Sequence, residues 1–192
     1  GTCSVSMATE ADGVIHAKVW GILPKERLEV KSKRENVDYK KLIAEGACFA
    51  EGEEVIDYDF VERWILGMAE RFGVEVVQVG YDRYNAISTV QKLEANGMEC
   101  VEVKQHSSVL HPPTKLLREA ILKREFAYDE NRLLEINFQN ARCTEDTNLN
   151  KYVNKKRSAG KVDMVISIII ALYLMQADML SNTELSWGIQ VI

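Results

Sequence analysis

The sequence predicts an α/β domain, a central sheet with helices packed on its faces, and three observations predict it. Residues 74–103 alternate an apolar strand, a helix and a second strand, the series that builds parallel pairing. Residues 2–9 and 13–22 are apolar and β-branched on either side of Ala11-Asp12-Gly13, the signature of a hairpin. The stretch from Lys155 to Met175, KKRSAGKVDMVISIIIALYLM, holds a run in which Ser167 is the only polar residue between Met164 and Met175. That run lacks Gly and Pro and is apolar on nearly every side, so it reads as a helix buried in a protein core. It falls short of the roughly 20 apolar residues that cross a bilayer, and no membrane is expected.

In chain order, Gly21 to Lys25 leads from the hairpin into a charged connector, Glu26 to Glu35, expected to be exposed. Val37 to Ala44 reads as a short helix ended by Gly46, with a short strand at Ala47–Ala50. Asp57 or Asp59 caps the next helix. Its apolar positions Phe60, Trp64 and Met68 recur at helical spacing, and Phe72-Gly73 closes it. Val74 to Gly80 has the near-continuous apolar character of a buried parallel strand. It ends on Tyr81-Asp82-Arg83; a helix follows from Asn85 to Ala95, and Asn96-Gly97 turns the chain into a strand over Met98–Val103. Pro112-Pro113 starts a helix running through Lys123, because proline is tolerated at the first helical positions. A further helix covers Asn131 to Asn140, and Asn148 to Lys155 reads as a last edge strand before the buried helix. The tail from Gln176 to Ile192 is less patterned. Its Leu185, Trp187 and Ile189 suit either a docking segment or a packed end.

A chain of 192 residues with no internal repeat, low-complexity tract or linker fits one domain over 1–192. The net charge of −5 excludes a surface that is basic throughout, so any nucleic-acid contact is local. Basic residues do gather between Thr147 and Val162, where Lys151, Lys155, Lys156, Arg157 and Lys161 occur without an acid. A solvated loop and a phosphate-binding stretch both fit that run. Cys3, Cys48, Cys100 and Cys143 form no CxxC pair and follow no secretory signal, which fits reduced thiols in a cytoplasm. His16, His106 and His111 lack metal-ligand spacing, so a metal would be held by oxygen.

Two acids stand out by position. Asp82 follows an apolar strand directly, and ligands of open α/β sheets gather at the carboxyl ends of strands. Asp163 opens the buried helix, where the helix dipole favours an anion. Two carboxylates from separate elements suit a hard divalent cation such as Mg²⁺ or Mn²⁺. Taken singly, each is a weak signal, and Asp82 fits a plain loop residue and Asp163 a first-turn helix residue better than a metal ligand.

A resemblance joins them. Tyr81-Asp82-Arg83-Tyr84-Asn85-Ala86, after an apolar strand, resembles the YDRWNA motif of large terminase subunits from tailed bacteriophages. Other segments agree in order. Gly21-Ile22-Leu23-Pro24 is similar to that family's strand-end WIP, and Val55-Ile56-Asp57-Tyr58-Asp59-Phe60 to its VVDYDFI helix entry. Pro112-Pro113-Thr114-Lys115 is similar to SPPTK, and Lys161-Val162-Asp163-Met164-Val165 to KIDGIVAL at the start of the last core helix. Together these cover residues 13–175.

The resemblance implies the family's C-terminal nuclease domain: an RNase H-like fold, a mixed central sheet flanked by helices. It implies a metal-dependent endonuclease that cuts concatemeric double-stranded viral DNA during genome packaging, in the cytoplasm of the bacterial host. Asp82 and Asp163 are then metal-binding acids for Mg²⁺ or Mn²⁺, and Lys161 lies near the scissile phosphate. Arg83 and Asn85 support the strand-end loop. Lys151, Lys155, Lys156, Arg157 and Lys161 grip DNA through its phosphates. Two metals would flank the scissile phosphate, one assisting the attacking water and the other the leaving 3′ oxygen. The implied partners are DNA, an ATPase domain, a small terminase subunit and a portal.

One departure accompanies the match. The family carries another metal-binding Asp on its first strand, in a GLDLS-like segment, whereas Gly1-Thr2-Cys3-Ser4-Val5 matches only the part after that acid. Asp12 lies at the far end of the hairpin and does not replace it. The first strand is therefore expected to be truncated, or else this homologue never carried that acid; either way weak metal binding and poor cutting are expected of this stretch alone. No GxxxxGK[ST] loop occurs, so the ATPase portion is not expected within these residues. Two alternatives stay open: another RNase H-like DNA nuclease of resolvase or transposase type, and an inactive domain that binds DNA or docks on a portal.

Overall fold

The computed structural model describes residues 2–83, 86–181 and 189–191. The hairpin forms as the sequence dictates. β1 (Cys3–Ala11) and β2 (Val14–Leu23) pair antiparallel in register from Cys3–Ile22 to Ala11–Val14. Asp12 and Gly13, at φ 53° and 78°, make the tight turn, a geometry open to Asp-Gly because both central residues need positive φ.

The outer edge of β2 carries β6 (Phe126–Tyr128) and then β3 (Cys48–Ala50), both parallel to it. On the other side, β9 (Ile189–Val191) lies between β1 and β4 (Val76–Tyr81), and β5 (Cys100–Glu102) follows β4 in parallel. The order is β3-β2-β1-β9-β4-β5. Among the described strands of this sheet, β1 alone runs against the rest. The carboxyl end of β4 and the amino end of β1 therefore face the same side of the sheet.

Helices cover both faces, and the alternation of side chains along the strands feeds two cores. Ile15, Ala17, Val19 and Leu23 of β2 face a core built on α8 (Asp163–Ser181), with Leu117 of α6 (Ser107–Leu122) and Leu133 and Leu134 of α7 (Arg132–Asn140). On the opposite face Val5, Met7, Ile22 and Val79 pack against α3 (Tyr58–Leu66), α4 (Met68–Phe72) and α5 (Ile87–Ala95). There Trp20, Phe49, Phe60, Trp64 and Phe72 form a continuous aromatic cluster, with the Arg71 guanidinium 3.9 Å above the Trp64 ring.

The apolar run of α8 is buried on every side as its composition requires: from Met164 to Met175 only Tyr173 is partly exposed. The helix is longer than the apolar run alone predicts. Asp163–Leu180, at mean hydropathy 1.7, would span a bilayer by length and composition. It is instead enclosed between the sheet and α6 and α7, the position of a core helix. The one polar residue that the sequence shows in the apolar run is satisfied, because the Ser167 hydroxyl donates to Ser6 Oγ of β1 at 2.9 Å, with both residues buried.

Several local expectations need correction. The charged connector is mostly exposed, as expected, but it is not loop: Leu28–Glu35 forms α1, ended by Asn36 in the left-handed region, and it buries Lys31. Its Lys, Arg, Glu and Leu residues are good helix formers, a signal hidden behind their charge. Tyr39–Ala44 forms the expected short helix, α2, capped by the Asp38 side chain. Asp57, rather than Asp59, caps α3, accepting from the Asp59 and Phe60 amides, and the helix breaks at Gly67 before α4. Helix α6 begins at Ser107, so Pro112 and Pro113 lie inside it. Burial of Leu110, Pro113, Thr114 and Leu117 offsets the backbone hydrogen bonds that the prolines cannot make.

The last predicted edge strand belongs to a separate ribbon. β8 (Lys151–Val153) pairs antiparallel with β7 (Cys143–Glu145), off the central sheet. His111 of α6 docks this ribbon by accepting from the Lys151 amide at 2.8 Å. Asp146 organises its turn, taking hydrogen bonds from the Ser107 hydroxyl and the Asn148 and Asn150 amides. These bonds, that from Ser107 foremost, hold its carboxyl down at about 2. All four cysteines are free thiols. Of the tail, Gln176 to Ser181 continues α8 and Ile189 belongs to β9, while Leu185 and Trp187 lie outside the described residues.

Candidate functional site

The shared edge of β1 and β4 opens into a cavity of about 260 Å³ lined by Thr2, Cys3, Gly80, Asp82, Lys155 and Asp163, among others. Each wall has a sequence reason. Asp82 leaves the end of β4, two residues past Gly80. A Cβ on Gly80 would sit 2.6 Å from Leu174 Cδ1, so its absence is what lets α8 lie close against β4. Asp163 opens α8, and its half-buried carboxylate has two partners. The Thr2 hydroxyl donates to Oδ2 at 3.1 Å, and the Lys155 ammonium lies 3.7 Å from Oδ1.

Side chains from α7 fix the entry to α8. Asn137, 3% exposed, donates from Nδ2 to Leu133 O at 2.9 Å and accepts on Oδ1 from the Met164 amide at 3.1 Å. One of the orphan amides at the helix start is thereby satisfied from another helix. Asn140 donates to Lys161 O at 3.0 Å. Both contacts grip the chain around Asp163. Asn137→Ala should cost about 1–3 kcal/mol by leaving the Met164 amide without its acceptor. Urea unfolding would show this as a lower midpoint, and an unchanged midpoint would count against the contact.

Of the residues predicted from sequence, Asp82, Asp163 and Lys155 meet at this cavity. Lys161 is exposed beside the start of α8, and neither it nor the exposed Arg83 is among the described lining residues. Lys156 and Arg157 are exposed on the turn after β8, and Lys151 is half-buried within that strand. Asn85 lies outside the described residues. Sequence reasoning missed Thr2, Asn137 and Asn140. Their signal is spatial, because each reaches the Asp163 segment from a distant part of the chain.

The donor chemistry fits a hard divalent cation. Two carboxylates and a hydroxyl supply oxygen, and an ion such as Mg²⁺, which keeps several waters, needs few protein ligands. They do not form a closed cage: among the described residues no group of three or more His, Cys, Asp and Glu could hold a metal. Cys3 is no soft alternative. Burial first, and then the Asp163 charge, push its thiol up to about 12, so it stays protonated.

A second polar group, within reach of the Asp163 charge, is not revealed by the sequence. Lys31 of α1 is buried with its ammonium 3.6 Å from Glu35 Oε2, and the Tyr39 hydroxyl donates to Glu35 Oε1 at 3.3 Å. Burial lowers the Lys31 pKa, and Glu35 and Asp163 oppose that shift.

Comparison with known proteins agrees with this geometry. A search of curated proteins finds no match. Among solved structures, the large terminase of bacteriophage HK97 superposes with a TM-score of 0.82 at 21% identity, covering 90% of this chain. The chain spans 36% of that protein's length. The large terminase nuclease from thermophilic phage G20c is similar over 62% of each chain, at 18% identity and a TM-score of 0.48. A family model described as the terminase large subunit, endonuclease domain, matches residues 1–178. An RNase H-like sheet, two acids at one strand-end cavity and a match over nearly the whole length place this chain in the terminase large subunit endonuclease domain family.

Proposed function

We propose that this chain is the divalent-metal-dependent DNA endonuclease domain of a phage or prophage large terminase, cutting concatemeric double-stranded DNA during packaging. The observation that carries this reading is the cavity at the end of β4 where Asp82 and Asp163 converge, in a chain of this family. Family membership favours it over a resolvase or transposase on the same fold.

In this reading Asp82 and Asp163 hold Mg²⁺ or Mn²⁺. A bound ion supplies Lewis-acid stabilisation of the phosphodiester and helps generate the attacking nucleophile. Asp163 needs a fixed rotamer for this task, and Thr2 supports it from just before β1 while Asn137 of α7 holds the adjoining Met164 amide. Lys161 approaches the scissile phosphate from the segment just before α8. Lys151, Lys155, Lys156 and Arg157 hold flanking phosphates without reading base sequence. Arg83 and Asn85 shape the loop that carries Asp82. The ATPase domain, small terminase subunit and portal are the partners of the larger assembly, in the cytoplasm of the host.

A second reading, a domain that grips DNA or docks without cutting it, is favoured by one observation: no third His, Cys, Asp or Glu joins the two acids among the described residues. Supercoiled-plasmid cleavage with Mn²⁺ separates the two. The assay compares this chain, a form lengthened by the residues upstream in its reading frame, and the longer form with Asp163→Asn or Asp82→Asn. The longer form should cut. Each substitution should reduce cutting by more than the roughly 10–100-fold typical of residues that merely support a ligand. A longer form that binds DNA but never cuts would establish the second reading, and undiminished cutting by Asp163→Asn would remove that residue from the site.

A further inference from the structure

Lys155 differs from the other basic residues of its run. Lys156 and Arg157 are its exposed neighbours, yet the Lys155 ammonium turns back to the cavity and lies 3.7 Å from Asp163 Oδ1. Its backbone is held for this. The Asn154 amide donates to Arg142 O at 2.9 Å, and the Asn154 side chain accepts from the Lys156 and Arg157 amides and donates to Thr144 Oγ1. The stem of Lys155 thus starts from an anchored turn beside the β7–β8 ribbon. Its side chain is 54% exposed, against 29% for Asp163, so the ammonium can leave the carboxylate without disturbing the core.

We propose that Lys155 is a partner-exchanging cation: it neutralises Asp163 in the metal-free domain and turns to a DNA phosphate when a divalent cation takes the carboxylate. This rests on the assignment of Asp82 and Asp163 as metal ligands. Two cations beside one carboxylate repel each other, so Lys155 must weaken metal binding as long as it has no other partner. A DNA phosphate supplies that partner. Metal and DNA binding therefore favour each other through Lys155, and by linkage each raises the affinity for the other by the same factor. The domain keeps its acid neutralised until substrate arrives.

The test is Mn²⁺ binding without DNA, followed by the electron paramagnetic resonance of free Mn²⁺, for the unmodified chain and for Lys155→Met, Lys123→Met and Asp163→Asn. Lys155→Met should bind Mn²⁺ about fivefold more tightly, the most that a part-exposed pair is worth. Lys123→Met, at an exposed lysine after α6, should leave binding unchanged. Fluorescence anisotropy with labelled duplex DNA gives a second readout: Ca²⁺ should tighten DNA binding by the unmodified chain and do so less for Lys155→Met. Equal or weaker Mn²⁺ binding by Lys155→Met, with binding lost in Asp163→Asn, would overturn the exchange while sparing the metal site. Mn²⁺ binding that persists in Asp163→Asn, or is undetectable in every form, would overturn both.

Discussion

Glu35→Ala is expected to destabilise the domain by about 3–5 kcal/mol, the usual cost of stripping the partner from a buried charge. Lys31 and Glu35 are four residues apart on α1, with side chains 4% and 14% exposed. Glu35 Oε2 makes no hydrogen bond, so the Lys31 ammonium at 3.6 Å is what compensates it. Removing Glu35 leaves that ammonium buried and takes the acceptor from the Tyr39 hydroxyl. The pH dependence follows from the lowered Lys31 pKa. Between that value and the unfolded value near 10.5, the unfolded chain binds more protons than the folded one. Stability contributed at this site therefore rises with pH in that window. The Glu35→Ala defect should accordingly be largest near neutral pH and shrink toward pH 10. Replacing both residues by methionine should recover most of the loss, since an apolar pair of similar volume removes the buried charge altogether. Urea unfolding of the single and double variants decides it: a double variant as unstable as Glu35→Ala would show that the charge is not the cause.

Much of the fold could be read from local chemistry. The Asp-Gly turn, the Asp57 cap, the αL closure at Gly73 and the apolar strand before Asp82 each rest on a few adjacent residues, and each appears in the structure. Elements whose signal is only a partner in space were not readable. β6 and β7 are three-residue strands defined by their neighbours β2 and β8, and α1 reads as solvated charge until Lys31 is seen beneath the surface. The site divides the same way. Asp82 and Asp163 could be assigned to one sheet edge because strand ends and helix starts are visible in sequence. Thr2, Asn137 and Asn140 lie 161, 26 and 23 positions before Asp163 and carry no motif. Lys155 sits in a basic run that looks uniform, and only its direction, toward Asp163 rather than solvent, sets it apart.

Leu172→Ala should cost about 2–5 kcal/mol, a large part of the roughly 5–15 kcal/mol that holds an ordinary domain together. Leu172 is fully buried at the middle of α8, where Ile168, Ile169 and Leu174 are equally enclosed. The helix is flanked by strands on one side and by α6 and α7 on the other, so the cavity left behind cannot collapse from one direction alone. Leu180, 87% exposed on the same helix, is the control, and Leu180→Ala should change stability by less than about 0.5 kcal/mol. Urea unfolding with an unchanged slope and a lowered midpoint for Leu172→Ala alone is the expected result. Similar small losses at both positions would mean that α8 is not a core helix. The consequence reaches the cavity, because Asp163 begins the helix that Leu172 anchors and Gly80 lets that helix close on β4 beside Asp82. Packing at the middle of α8 therefore sets where the carboxylate at its end can stand.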